Sequence, residues 1–125
     1  MAPERQARQK FPRSMRLQRR RDFTYLKEKG ERLAYGCLVL NWLGNPNEKR
    51  PRLGVVTSAN IGPAVVRSRA RRLLREAFRK NQDRFPSPTD VVLVARRSIY
   101  GKSGQEVERD LLRAMDRAGI QKKEQ

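Results

Sequence analysis

Six arginines, Arg67, Arg69, Arg71, Arg72, Arg75 and Arg79, fall between Gly62 and Lys80, in a segment with one lysine and one acid, Glu76. Guanidinium groups at this density are suited above all to holding phosphate oxygens through paired, charge-assisted N–H donors, with a directionality that lysine ammonium groups lack. A merely solvated helix face would mix signs, so that neighbours one turn apart attract. Bond-breaking chemistry lacks its usual residues. The chain has no histidine, which removes the commonest general base and metal ligand and any Ser-His or Cys-His nucleophile pair. Its single cysteine, Cys37, allows no internal disulfide and, without histidine, no ordinary zinc site. Cys37 reads instead as a small buried hydrophobe. Catalytic residues, metal ligands and a cofactor of its own are not expected here; binding is.

The charge balance agrees. The 125 residues carry 30 basic against 13 acidic groups, a formal net charge of +17, and only 37% are hydrophobic. That length suits one domain with a modest core. Self-repulsion on this scale is relieved by a polyanion, nucleic acid first and an anionic membrane surface second. No stretch is long and apolar enough to span a bilayer. The basic N-terminus, MAPERQARQKFPRSMRLQRRR, lacks the apolar run of a secretory signal. The expectation is a cytoplasmic protein without membrane contact.

Residues 1–16 are polar, basic and aperiodic, and are expected to form a disordered arm. Residues 17–118 make one domain, and 119–125 a frayed tail. A helix is predicted over 17–29, ended by Gly30, with Phe23 and Leu26 on one side. LAYGCLVLNWL (33–43) reads as a strand, GNPNEKRP (44–51) as a turn, and RLGVVTS (52–58) as the return arm of a hairpin. Pro63 suits the start of a helix reaching Lys80. After a loop containing Pro86 and Pro88, DVVLVARR (90–97) is a buried strand, with Asp90 at the turn. SGQE (103–106) matches a capping box, and Val107, Leu111, Ala114, Met115 and Ala118 follow at helical spacing. The order helix, strand, strand, helix, strand, helix gives an α+β fold, a small sheet with helices packed on it.

On a helical projection, Val66, Ala70, Leu73, Leu74, Ala77 and Phe78 form a core face. Arg67, Arg71, Arg72, Arg75 and Arg79 are assigned to the opposite arc, with Ser68 among them and Arg69 at its far edge. Glu76 is expected to pair with Arg72 or Lys80 one turn away. Phe78 is core, and Tyr35 and Trp42 are packing or strand-edge residues. Arginines 19–21 are read either as phosphate contacts or as a solvated cluster. The charge pattern does not separate RNA from DNA. A ribosomal or other structural RNA-binding protein fits it, and so does a DNA-binding regulator, although the strand content argues against a helix-turn-helix.

The segment RLGVVTSANIGPAVVRSRARRLLREAF (52–78) resembles the signature region of the bacterial ribonuclease P protein subunit. The Arg-x-Gly strand start, the glycine before the helix, Arg67-Ser68-Arg69, Arg71-Arg72, Leu73, Arg75, Glu76 and Phe78 carry the likeness. RRRDFTYLKEKG (19–30) and DVVLVARR extend it to roughly residues 13–118. The resemblance implies a small α/β sandwich, a central mixed sheet with three helices, and a left-handed crossover around the arginine helix. It implies a basic accessory protein in a ribonucleoprotein endonuclease whose catalytic RNA hydrolyses precursor tRNA to remove the 5′ leader, with Mg2+ held mainly by the RNA. No obligate protein partner is expected. By position, Arg67, Arg69, Arg71, Arg72, Arg75 and Asn60 would contact the catalytic RNA. Phe23, Lys27, Asn41, Arg67 and Ser68 would line or border a cleft for the leader. Ser68 stands where the family has Asn, Ala59 and Asn60 stand for two lysines, and Lys27 and Asn41 replace aromatics. Leader binding is thus expected to lean on charge more than on stacking.

Overall fold

The computed structural model describes residues 20–85 and 88–120; the basic arm foreseen over 1–16 lies outside the described residues, as do Arg19 and residues 121–125. The elements are α1 (Arg20–Lys29), β1 (Glu31–Tyr35), β2 (Leu38–Gly44), β3 (Arg52–Val56), α2 (Ala64–Asn81), β4 (Thr89–Ala95) and α3 (Gly104–Ala118). Short 3-10 turns lie at Ala59–Ile61, Gln82–Arg84 and Arg97–Ile99. The α+β class with three helices on a mixed sheet is as expected.

The sheet differs from the expectation in two ways. The single strand read over 33–43 is a tight hairpin, in which β1 pairs antiparallel with β2 from Glu31↔Trp42 to Tyr35↔Leu38. Gly36 makes the turn with φ +56°, and a Cβ there would meet the Asp110 carboxylate at 2.2 Å, so only glycine fits. The segment 52–58 is not the return arm of a hairpin. The strand order is β1-β2-β4-β3: β4 inserts antiparallel to β2 and parallel to β3. The parallel pair requires a crossover, and α2 supplies it.

Two layers cover the sheet unequally. On one face α2 lies over β3 and β4, α3 lies over β1 and β2, and the two helices pack together. Leu38, Leu40, Val91 and Leu93 from the strands interlock there with Leu74 and Phe78 of α2 and Leu111 and Met115 of α3, all buried. Tyr35 and Trp42 pack at its margin as foreseen. Buried Asn81 links the helices: its amide donates to the Ala77 carbonyl at 2.8 Å and to Glu108 Oε2 at 2.9 Å. On the other face α1 crosses β2 and β4 over a small apolar cluster, with Leu26 and Val92 buried and flanked by Phe23, Leu43, Val56 and Val94; Val39 and Asn41 of β2, on the same face, are buried as well.

Helix ends follow the sequence. Ser103 caps α3, accepting from the Glu106 N–H at 3.1 Å while Glu106 accepts from the Ser103 N–H at 2.9 Å. That hydrogen bond from the Ser103 backbone holds the Glu106 carboxyl below its usual value. At the other end Gly119, with φ +71°, donates to Asp116 O, and Ile120 donates to Met115 O at 3.2 Å. Ile120 packs on the core. Asp90 is not a turn residue. It is the second residue of β4 and takes a two-pronged contact from Arg52, Nε and Nη2 each at 2.9 Å, with Asn45 Nδ2 at 3.0 Å.

Candidate nucleic-acid interface

The arginine helix is built on a firm seat. Buried Ile61 anchors the turn before it, Pro63 is the N-cap, and Ala70, Leu74, Ala77 and Phe78 are buried beneath it. The arginines do not form one arc opposite that seat. At 100° per residue Arg67 falls on a flank of the core stripe and Arg71 near its border, and the structure shows both partly buried. Arg67 Nη1 donates to the Gly62 carbonyl at 2.8 Å. Arg71 donates to Thr57 Oγ1 at 2.8 Å and to Ser68 Oγ at 3.1 Å. Glu76 pairs with Arg79 at 2.8 Å, three residues on, rather than with Arg72 or Lys80. Arg69 and Arg72 project from exposed positions and make no ion pair among the described residues. Arg75 and Asn60 are exposed as well. Cationic groups thus span more than half of the helix circumference.

The second surface is a cleft of about 410 Å3 between α1 and the sparsely covered sheet face. Its floor is Val39, Val56, Val92 and Val94; Phe23 and Leu26 wall it from α1, and Lys27 and Arg32 bring cations to its edge. α1 is held close because Gly30 ends it: a Cβ there would lie 2.6 Å from both the Leu26 and Trp42 carbonyl oxygens. Asn41 lines the cleft but is only 8% exposed, and its amide is engaged with the Val92 carbonyl at 3.3 Å. Phe23, Lys27 and Asn41 are therefore brought together as expected. Arg67 and Ser68 do not line this cavity; they lie on α2, across the β3 edge of the sheet. Cys37 belongs to neither surface. It is fully buried, and its thiol is pushed up to about 12, chiefly by burial and then by the neighbouring Asp110 carboxylate, so it stays neutral.

The sequence pattern of the Ribonuclease P family matches residues 11–119. The chain belongs to that family. The ribonuclease P protein component of Pelotomaculum thermopropionicum is 39% identical over 83% of this chain and 92% of its own length. That of Syntrophomonas wolfei is 34% identical over 84% and 87%. The ribonuclease P protein of Thermotoga maritima superposes with a TM-score of 0.72 at 29% identity, covering 82% of this chain and 96% of that one. Membership brings ribonuclease P, tRNA processing and RNA binding with it.

For a ribonuclease P protein, two residues matter that the sequence reading did not single out. Arg32, on the edge strand β1, reaches the cleft opposite Lys27. An Arg beside the Gly30 helix stop looks from sequence like any surface cation. Strand alternation puts Arg32 on the same face as Asn41, its partner in register, and that was the available signal. Thr57, at the end of β3, orients Arg71; nothing in the sequence distinguishes it from an ordinary strand-end hydroxyl.

Proposed function

We propose that this chain is the protein partner of the ribonuclease P RNA, binding it through α2 and the turn before it, and that the α1 cleft takes the single-stranded 5′ leader of precursor tRNA. The RNA partner holds the Mg2+ ions that supply the hydrolytic chemistry, and the protein contributes contacts. Arg67 and Arg71, fixed by Gly62 and Thr57, present preset donors. Arg69, Arg72 and Arg75 offer exposed ones. Ser68 occupies the place of an amide, and its hydroxyl is already engaged with Arg71, so it acts through that guanidinium.

The observation that carries the reading is the cleft's composition: an apolar floor, one aromatic wall and cations at the rim. Paired bases hide their faces, whereas a single strand offers them to apolar surfaces and its phosphates to Lys27 and Arg32. The test is reconstitution with bacterial ribonuclease P RNA, following precursor tRNA cleavage at low magnesium with leaders of increasing length. Stimulation that grows with leader length and then levels off is the expected result. Tight RNA binding without stimulation would mark a structural RNA binder instead. Sequence-specific binding of duplex DNA would mark a regulator.

A further inference from the structure

On the flank of α2 away from Thr57, the β4–α3 connection meets the arginine helix. Tyr100 stands there 69% exposed, at the end of the Arg97–Ile99 turn. With Arg69 it rims a hollow of about 350 Å3 whose other lining residues are Val66, Ala70, Ile99 and Gly101. Val65, one helical turn before Arg69, is 75% exposed. Two of the three exposed large hydrophobics among the described residues therefore flank one guanidinium.

The turn that carries Tyr100 is stiff. Ile99, almost wholly buried, anchors it, and its N–H donates to the Arg96 carbonyl at 2.9 Å. The Tyr100 N–H donates to Arg97 O at 3.2 Å and the Lys102 N–H to Ile99 O at 3.0 Å. Arg96 Nη1 and Ser98 Oγ both donate to the Gly36 carbonyl, at 3.2 and 3.4 Å. The backbone beneath the ring is thus fixed before any partner arrives, which lowers the ordering cost of binding. The connection is cationic: Arg96, Arg97 and Lys102 lie within four residues of Tyr100 in sequence, and no acidic residue occurs from Val91 to Gln105. A flat apolar ring face on a cationic surface, beside an exposed arginine, matches a nucleotide: base on the ring, phosphate on the guanidinium.

We infer that Tyr100 and Arg69 form a nucleotide platform on which an unpaired base of the catalytic RNA stacks. This site is distinct from the leader cleft, which lies on the other sheet face, and it rests on the reading of α2 as the RNA-binding helix.

The test compares Tyr100→Ala and Tyr100→Phe with the unsubstituted full chain, measuring affinity for ribonuclease P RNA at several salt concentrations and the leader-length dependence of precursor binding. Tyr100→Ala should weaken RNA affinity about tenfold, the loss of one stacked base. It should leave the slope of affinity against salt unchanged, and Tyr100→Phe should bind like the unsubstituted chain. Arg69→Ala should instead flatten that slope by about one unit. Leader-length dependence should be unmoved in both Tyr100 variants. Because Tyr100 is exposed, thermal unfolding of the variants should match that of the unsubstituted chain. Undiminished RNA affinity in Tyr100→Ala would overturn the platform alone. So would equal losses in the Ala and Phe variants, or a loss confined to leader dependence or to self-association. Failure of the unsubstituted chain to bind the RNA would overturn the functional reading, and the platform with it.

Discussion

The two faces of the sheet are supported differently. Beneath α2 and α3 lies a continuous apolar core with buried side chains from β2, β3 and β4 and partly buried ones from β1. Beneath α1 the buried apolar residues are few, Leu26, Val39 and Val92, and the valines there floor an open cleft. A helix crowded with like charges needs a deep seat, because self-repulsion works against its docking. A cleft needs the reverse, an apolar surface left partly uncovered. One sheet serves both because alternate residues along each strand face opposite layers.

The two seats should differ first in what a truncated side chain costs. Leu74→Ala should cost about 2–5 kcal/mol, as usual for a leucine truncated in a close-packed core. Leu26→Ala should fall at the low end of that range, near 2 kcal/mol, because its site borders an existing cavity. Chemical denaturation measures both, and equal losses would mean that the α1 layer is no lesser core. Next comes the cleft. Phe23→Ala should lower leader-dependent precursor affinity about tenfold while leaving affinity for leaderless tRNA and for the catalytic RNA unchanged. Lys27→Ala should also reduce the leader dependence, and no change would remove charge from the account of that cleft.

Smaller effects separate the forces at work. Arg72→Ala should reduce the salt slope of catalytic-RNA binding by about one unit and change affinity only a few-fold at physiological salt. Arg32→Ala should alter the salt dependence of the leader contribution alone. The smallest effect at neutral pH concerns Cys37, buried on the α3 side. Its thiol rises from 9.0 to about 12 on folding. Below pH 9 both states keep the proton and the stabilisation is complete; between 9 and 12 the unfolded chain releases it first, so stability falls as pH rises. Alkaline unfolding of Cys37→Ala should show a shallower decline than that of the unsubstituted chain.

Local signals made the helices legible. Ser103 and Glu106 announced α3 through side chain to backbone bonds made within one turn, and Pro63 marked the start of α2. The sheet was less so. Gly36 inside an apolar run was the sign of a hairpin, but the run around it looked continuous. The pairing of β3 with β4 joins residues about forty apart and leaves no mark in either segment, so adjacency in sequence suggested the wrong partner. Asp90 looked like a turn residue until Arg52 was found beside it in register. The cleft residues Phe23, Lys27 and Asn41 came from resemblance, whereas Arg32 required knowing which strand edge faces α1. Arg67 was misplaced by treating a charged residue near the helix border as if it lay opposite the core.

The strand synthesised last occupies the middle of the sheet. As the chain leaves the ribosome, the β1–β2 hairpin and β3 appear with nothing between them, and neither gains its β4 neighbour until residues 89–95 emerge. The amide of Cys37 waits longer still, for Asp110 Oδ2 at 3.0 Å. A chain ending at Lys80 would carry all six arginines of the cationic segment but lack the β4 strand that joins β3 to the hairpin, and so the assembled sheet that seats α2. Such a fragment is expected to bind RNA as a loose polycation, with discrimination between RNAs requiring residues 89–95.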